Sequence, residues 1–172
     1  MPDAIFSRTG RFPGPWFFSA VLWIQSAFLL AVRLYWGWQF LQTGWGKLHN
    51  LAKVTAFFTS LGIPFPGLNA PFVGTVEFLG GCLLILGLGA RPVGLVLTVN
   101  MLVAYVTADR EALLAVFSDP GKFYGATPFT FLFAVVIVTL FGAGIFSLDR
   151  LIARLLHPGP SLRLNGGTTS PP

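Results

Sequence analysis

Cysteine occurs once in the 172 residues, at Cys82, and histidine twice, at His49 and His157. A single thiol rules out an intramolecular disulfide, a CxxC redox pair and a cysteine-held metal cluster. One imidazole follows the first apolar run and the other lies in the C-terminal tail, so they cannot jointly ligate a haem within one copy. Charge is as sparse: aspartate, glutamate, lysine and arginine together make up 10% of the chain. No flavin or nicotinamide fingerprint is present. The stretch GLGARPVG loosely resembles a phosphate loop, but no soluble strand precedes it, and it reads as a turn between membrane spans. These absences leave no catalytic residue, no metal site and no intrinsic cofactor to expect.

Hydrophobic residues are abundant instead, at 54% of the chain with a mean hydropathy of +0.74, well outside the ordinary soluble range. An integral membrane protein is expected. Four apolar runs use most of the length, near Trp16 to Leu41, Phe72 to Leu88, Arg91 to Thr107 and Thr127 to Phe146. None alternates apolar with polar residues, as the strands of an outer-membrane barrel would. The fold class is therefore all-α, a transmembrane four-helix bundle. Apolar residues recurring every three or four positions from Lys47 to Leu61 predict a short amphipathic helix on the outer surface, before LGIPFPGLNAP turns the chain back into the membrane.

In this division residues 1–15 form an N-terminal tail, 16–146 the four-span domain and 147–172 a C-terminal tail. That tail stays helical to Leu156 and is disordered beyond. The first span is too long for a cleaved signal peptide and is expected to be retained. With four spans both tails share a side with Arg91. That side holds Arg8, Arg11, Arg91, Arg150, Arg154 and Arg163, whereas the acids Asp109, Glu111 and Asp119 largely cancel Lys47, Lys53, Arg110 and Lys122 on the other. The bias places both termini in the cytoplasm of a bacterial cell with a multi-pass protein in its cytoplasmic membrane. The net charge of +5 is thus spent on topology and lipid, and the expected partner is the bilayer rather than nucleic acid.

One face of the first span organises the rest. Arg33, Gly37, Phe40, Gly44 and Lys47 fall within about 60° of one another on a helix. An unpaired charge inside a membrane costs roughly 3 kcal/mol or more, so Arg33 needs a partner. Glu77 is the only acid in any span. With the outer end of span one set at Leu41, Arg33 lies about 12 Å deep, Glu77 about 9 Å and Asn100 about 12 Å. An ion pair from Arg33 to Glu77, with Asn100 adding a hydrogen bond, is the expected polar layer. Gly74 and Gly81 share the face of Glu77, with Gly80 nearby, and suit close helix packing. The pair either clamps two spans together or, with Trp36, Trp45, Lys47 and Tyr105 near its mouth, lines an outward-opening pocket whose aromatic walls and donors would suit a quinone. The fourth run holds no ionisable group and reads as a packing member.

The motifs Arg33-x-x-x-Gly37, Gly44-x-x-Lys47, LGIPFPG, Glu77-x-x-Gly80-Gly81 and LLILGLGAR, in this order, resemble the DoxX family of small four-helix membrane proteins. The likeness covers about residues 30–107, and more loosely FGAGIFSLDR. It implies a four-helix transmembrane bundle and a connection with DoxD-like subunits of thiosulfate:quinone oxidoreductase and with membrane complexes of thiol and oxidant defence. Arg33, Lys47 and Glu77 match the family's charged pattern; no catalytic residue carries over. The first expectation is a membrane subunit of a quinone-linked oxidoreductase, its redox chemistry supplied by a soluble or membrane partner protein. The second is a non-catalytic scaffold or assembly factor. The third is solute or proton transport by a homo-oligomer with Glu77 as coupling group, against which neutralisation by Arg33 argues.

Overall fold

The computed structural model describes residues 15–156. The expectations for residues 1–14 and 157–172 lie outside the described residues. Eight helices follow in chain order: α1 Pro15–His49, α2 Leu51–Ser60, α3 Pro66–Leu86, α4 Ala90–Thr107, α5 Arg110–Leu114, α6 Pro120–Gly125, α7 Thr127–Phe141 and α8 Leu148–Leu156. No strand occurs among the described residues. Three helices, α1, α3 and α4, are long and apolar enough to cross a membrane; α7 is apolar but shorter.

The first helix carries a buried stripe. Ser26, Leu29, Arg33, Gly37, Phe40 and Gly44 are all buried at spacings of three or four, while the large side chains between them, Leu34, Tyr35 and Trp38 among them, point outward. This stripe packs along α3, and α4 packs along α7. Contacts of α3 with α4 and of α1 with α7 join the two pairs. Between them sits an apolar core of Phe40, Leu84, Leu97, Met101, Val135 and Val138.

Lipid tails are as apolar as leucine, so burial alone gives two spans little reason to associate; close backbone packing has to supply it. Glycines provide that contact between α1 and α3. A Cβ built on Gly44 would stand 2.3 Å from the Phe78 nitrogen, and one on Gly81 would stand 2.5 Å from the Gly37 oxygen. Gly37 and Gly44 on one helix thus meet Gly81 and Gly74 on the other in an antiparallel register. The same device recurs between α4 and α7, where a Cβ on Gly94 would lie 2.5 Å from Thr139 Oγ1.

The first helix also departs from its expected extent. It does not stop near Leu41 but continues through GWGKLH to His49, because Gly44 is held against α3 by the notch just described. The amphipathic segment after the first span forms a short helix, Leu51–Ser60, which packs against α3 with Phe58 buried.

Candidate functional site

The register of α1 on α3 decides which charges meet. With Gly44 against Phe78 and Gly37 against Ile85, Glu77 lies opposite the turn of Gly44 to Lys47. Its side chain is 2% exposed and forms an ion pair with Lys47 through Oε2. Asn100 on α4 donates its amide to Glu77 Oε1 at 3.1 Å. Both carboxylate oxygens therefore have partners, and three helices are tied at one level. Lys47 keeps 29% of its side chain exposed. Its ammonium has three donors, and a single carboxylate oxygen occupies only part of that capacity.

Two cavities flank this pair. The first encloses about 450 Å³ and is walled by Phe57, Phe58, Leu61, Ile63 and Pro64 from α2 and the following turn, Val73 from α3, and Val103 and Thr107 from α4. Asn100 faces it. The second, about 320 Å³, is bounded by Phe40, Thr43, Met101, Pro128 and Phe131. Lys47, Glu77, Phe57, Ala104 and Ala108 belong to both. A charged pair and an amide thus face space that is mostly apolar, with Asn69 and Thr107 as further polar liners of the first cavity and Thr43, Asp109 and Thr127 of the second. Such an arrangement orients a flat or chain-like apolar ligand by one or two polar atoms.

Residues 28–110 match the DoxX family model. The chain belongs to the DoxX family. It matches no curated protein and no solved structure. The DoxX stretch opens in the middle of α1 and closes at the start of α5, so it contains Lys47, Glu77 and Asn100 together with the α2 segment that walls the larger cavity.

In this DoxX chain Arg33 does not pair with Glu77. The extra turns of α1 beyond Leu41 carry Arg33 inward, about twelve residues and about 18 Å along the helix from the level of Glu77. Its guanidinium is fully buried near the opposite end, where Nη2 donates to the carbonyl of Phe146. Nε and Nη1 have no hydrogen-bond partner among the described residues. Asp149 supplies the nearby negative charge, yet its carboxylate accepts from the backbone N–H of Gly89 at 2.8 Å and of Ala90 at 3.2 Å, capping α4. The expected single polar layer is two layers, one at each end.

The aromatic residues expected at the mouth also take other places. Tyr105 is fully buried, stacks on Phe123 with ring centroids 5.4 Å apart and donates to the Phe123 carbonyl at 2.7 Å. Trp36 packs edge-on to Phe131. Trp45 lies over His49 at 3.9 Å and beside Phe78. None of the three lines either cavity beside Lys47. The walls come instead from Phe57, Phe58 and the LGIPFPG turn. The helical period of Leu51, Val54 and Phe58 signalled an apolar face there, but not that the face covers a cavity.

Proposed function

We propose that this DoxX protein is a four-span membrane subunit that binds a quinone-class ligand beside Lys47, Glu77 and Asn100, within an oxidoreductase complex whose partner protein carries the redox centre. The observation behind this reading is the pair of apolar cavities meeting at one ion pair. A quinone is a membrane-soluble two-electron carrier with an apolar ring and tail and two carbonyl acceptors. The Lys47 ammonium offers donors to such a carbonyl. The Asn100 amide, held by Glu77, fixes the level at which the ring would lie. Phe57, Leu61, Ile63 and Val103 supply walls for ring and tail. The α7 helix, packed on α4 and α1, serves as the fourth span. The cationic bias at the Arg91 and Arg150 end supports an orientation with that end on the cytoplasmic side of a bacterial membrane.

Protein purified from quinone-containing membranes should carry extractable quinone. Glu77→Gln keeps the side chain's shape, removes the ion pair and should lose most of the quinone while still inserting. Equal quinone in both proteins contradicts the proposal. A second reading has one observation in its favour: Glu77 is already satisfied by Lys47 and Asn100, so the set can serve as a clamp in a scaffold. Under that reading the wild-type protein retains no quinone, and replacing Lys47 and Glu77 together by Met and Leu leaves stability nearly unchanged.

A further inference from the structure

A third cavity, of about 450 Å³, lies at the other end of the molecule, between the start of α4, the end of α7 and the start of α8. The turn joining α3 to α4, both long enough to span, reaches the membrane surface there. Arg91 and Arg150 line this cavity, and neither makes an ion pair among the described residues. Asp149 also lines it, each carboxylate oxygen accepting one backbone N–H, from Gly89 and Ala90, and its single negative charge leaves the arginines in excess. Arg33 lies buried below, beside Gly87 and Ser147, and adds a third positive charge. Apart from Ser147 the remaining wall is apolar, with Pro92 and the exposed ring of Phe141.

Next to the cavity, α8 places Leu148, Leu151, Ile152, Leu155 and Leu156 on one face and Arg150 and Arg154 on the other. Among the described residues Leu151, Ile152, Leu155 and Leu156 of this face are exposed, and Leu148 is half-buried. A helix of this kind, starting at the surface end of a span, lies along the interface with its arginines among headgroups. We propose that the cavity binds the phosphate of an anionic phospholipid, held by the Arg91 and Arg150 guanidinium groups, with its acyl chains running past Phe141 and the apolar face of α8. The proposal uses the membrane location and the charge of this end, and it is independent of any ligand beside Glu77. Guanidinium pairs suit phosphate because each presents two parallel N–H donors. The apolar wall and the helix face favour a lipid over free phosphate.

The test is native mass spectrometry of the full chain, delipidated in nonionic detergent and titrated with phosphatidylglycerol, phosphatidylcholine or inorganic phosphate. Phosphatidylglycerol should bind with a defined stoichiometry and phosphatidylcholine far more weakly. Arg91→Gln or Arg150→Gln should weaken phosphatidylglycerol about fivefold, and the double variant about thirtyfold. Lys122→Gln, at the far end, should change nothing. Equal binding of the two lipids, equal loss in Lys122→Gln, or competition by millimolar phosphate as strong as by lipid overturns the proposal. In the wild-type protein, phosphatidylglycerol with a photoreactive acyl chain should label Phe141 and α8, and labelling spread evenly along α1 overturns it without any variant.

Discussion

Replacing Gly44 by alanine should push α1 and α3 apart, and the size of the effect follows from three distances. The new Cβ would meet the Phe78 nitrogen at 2.3 Å, the Gly74 oxygen at 2.7 Å and the Phe78 Cα at 2.8 Å, against 3.4–4 Å for ordinary contact. All three atoms are backbone, so no rotamer change relieves the clash and the helices must separate by about 1 Å. Overpacking of this kind costs typically 1–3 kcal/mol. Alanine gains about 1 kcal/mol of helix propensity over glycine, which leaves a net loss of up to about 2 kcal/mol. Gly46→Ala is the control: nothing lies within 4 Å of its Cβ, so only the propensity gain applies and the protein should be slightly stabilised. Gly80→Ala falls between, because the atoms nearest its Cβ, from 2.9 Å, belong to the Leu97 side chain rather than to backbone, and a side chain can shift. Unfolding by SDS in mixed micelles, followed by circular dichroism, ranks the three. If Gly44→Ala is as stable as Gly46→Ala, α1 and α3 do not meet through these glycines, and the register that pairs Lys47 with Glu77 goes with them.

Further outcomes concern charge and turns. Lys47→Met leaves the Glu77 carboxylate buried without a cation and should destabilise the protein by about 3 kcal/mol, the low end for a broken buried pair because Lys47 is 29% exposed; the same SDS titration measures it. Gly87→Ala should be more damaging than Gly44→Ala, since Gly87 has φ +66° and its Cβ would lie 1.8 Å from Arg33 Nη1; a mild phenotype in a thermal melt would mean Arg33 is not packed there. Asp149→Ala removes the cap of α4 and should cost about 1 kcal/mol, with Asp149→Asn losing less. The Lys122 ammonium, hydrogen-bonded to Glu111, holds that carboxyl below its ordinary value. A lowered folded value means the pair's contribution is present above the ordinary carboxylate range and lost as pH falls through the lowered one. The chain has two glutamates, so carbon-13 glutamate labelling gives two carboxyl signals, and Lys122→Gln should move the Glu111 titration upward.

The face of α1 was legible because it needs only helical period: Arg33, Gly37, Phe40 and Gly44 are buried on the stripe that spacing alone predicts. What failed was depth. Glycine and polar residues after Leu41 look like a helix end, yet they continue the helix because Gly44 is occupied against α3 rather than exposed. Eight residues of error in that boundary moved Arg33 to the other end and gave its place beside Glu77 to Lys47. The partner Arg33 does have is a backbone carbonyl at Phe146, 113 positions away, freed where α7 ends at Gly142. A carbonyl belongs to every residue and leaves no mark in a sequence. The cavity walls were hidden differently: Phe57 and the LGIPFPG turn were visible as apolar and bent, but the contact of α2 with α3 that turns them over Glu77 is tertiary.

Photoaffinity labelling with an azidoquinone in reconstituted vesicles tests the cavity directly. The account predicts label concentrated between Phe57 and Pro64 and on Val103 to Ala108, displaced by unmodified quinone and lost in Glu77→Gln. Label confined to outward-facing side chains such as Trp38 and Phe133, unchanged in that variant, would contradict it.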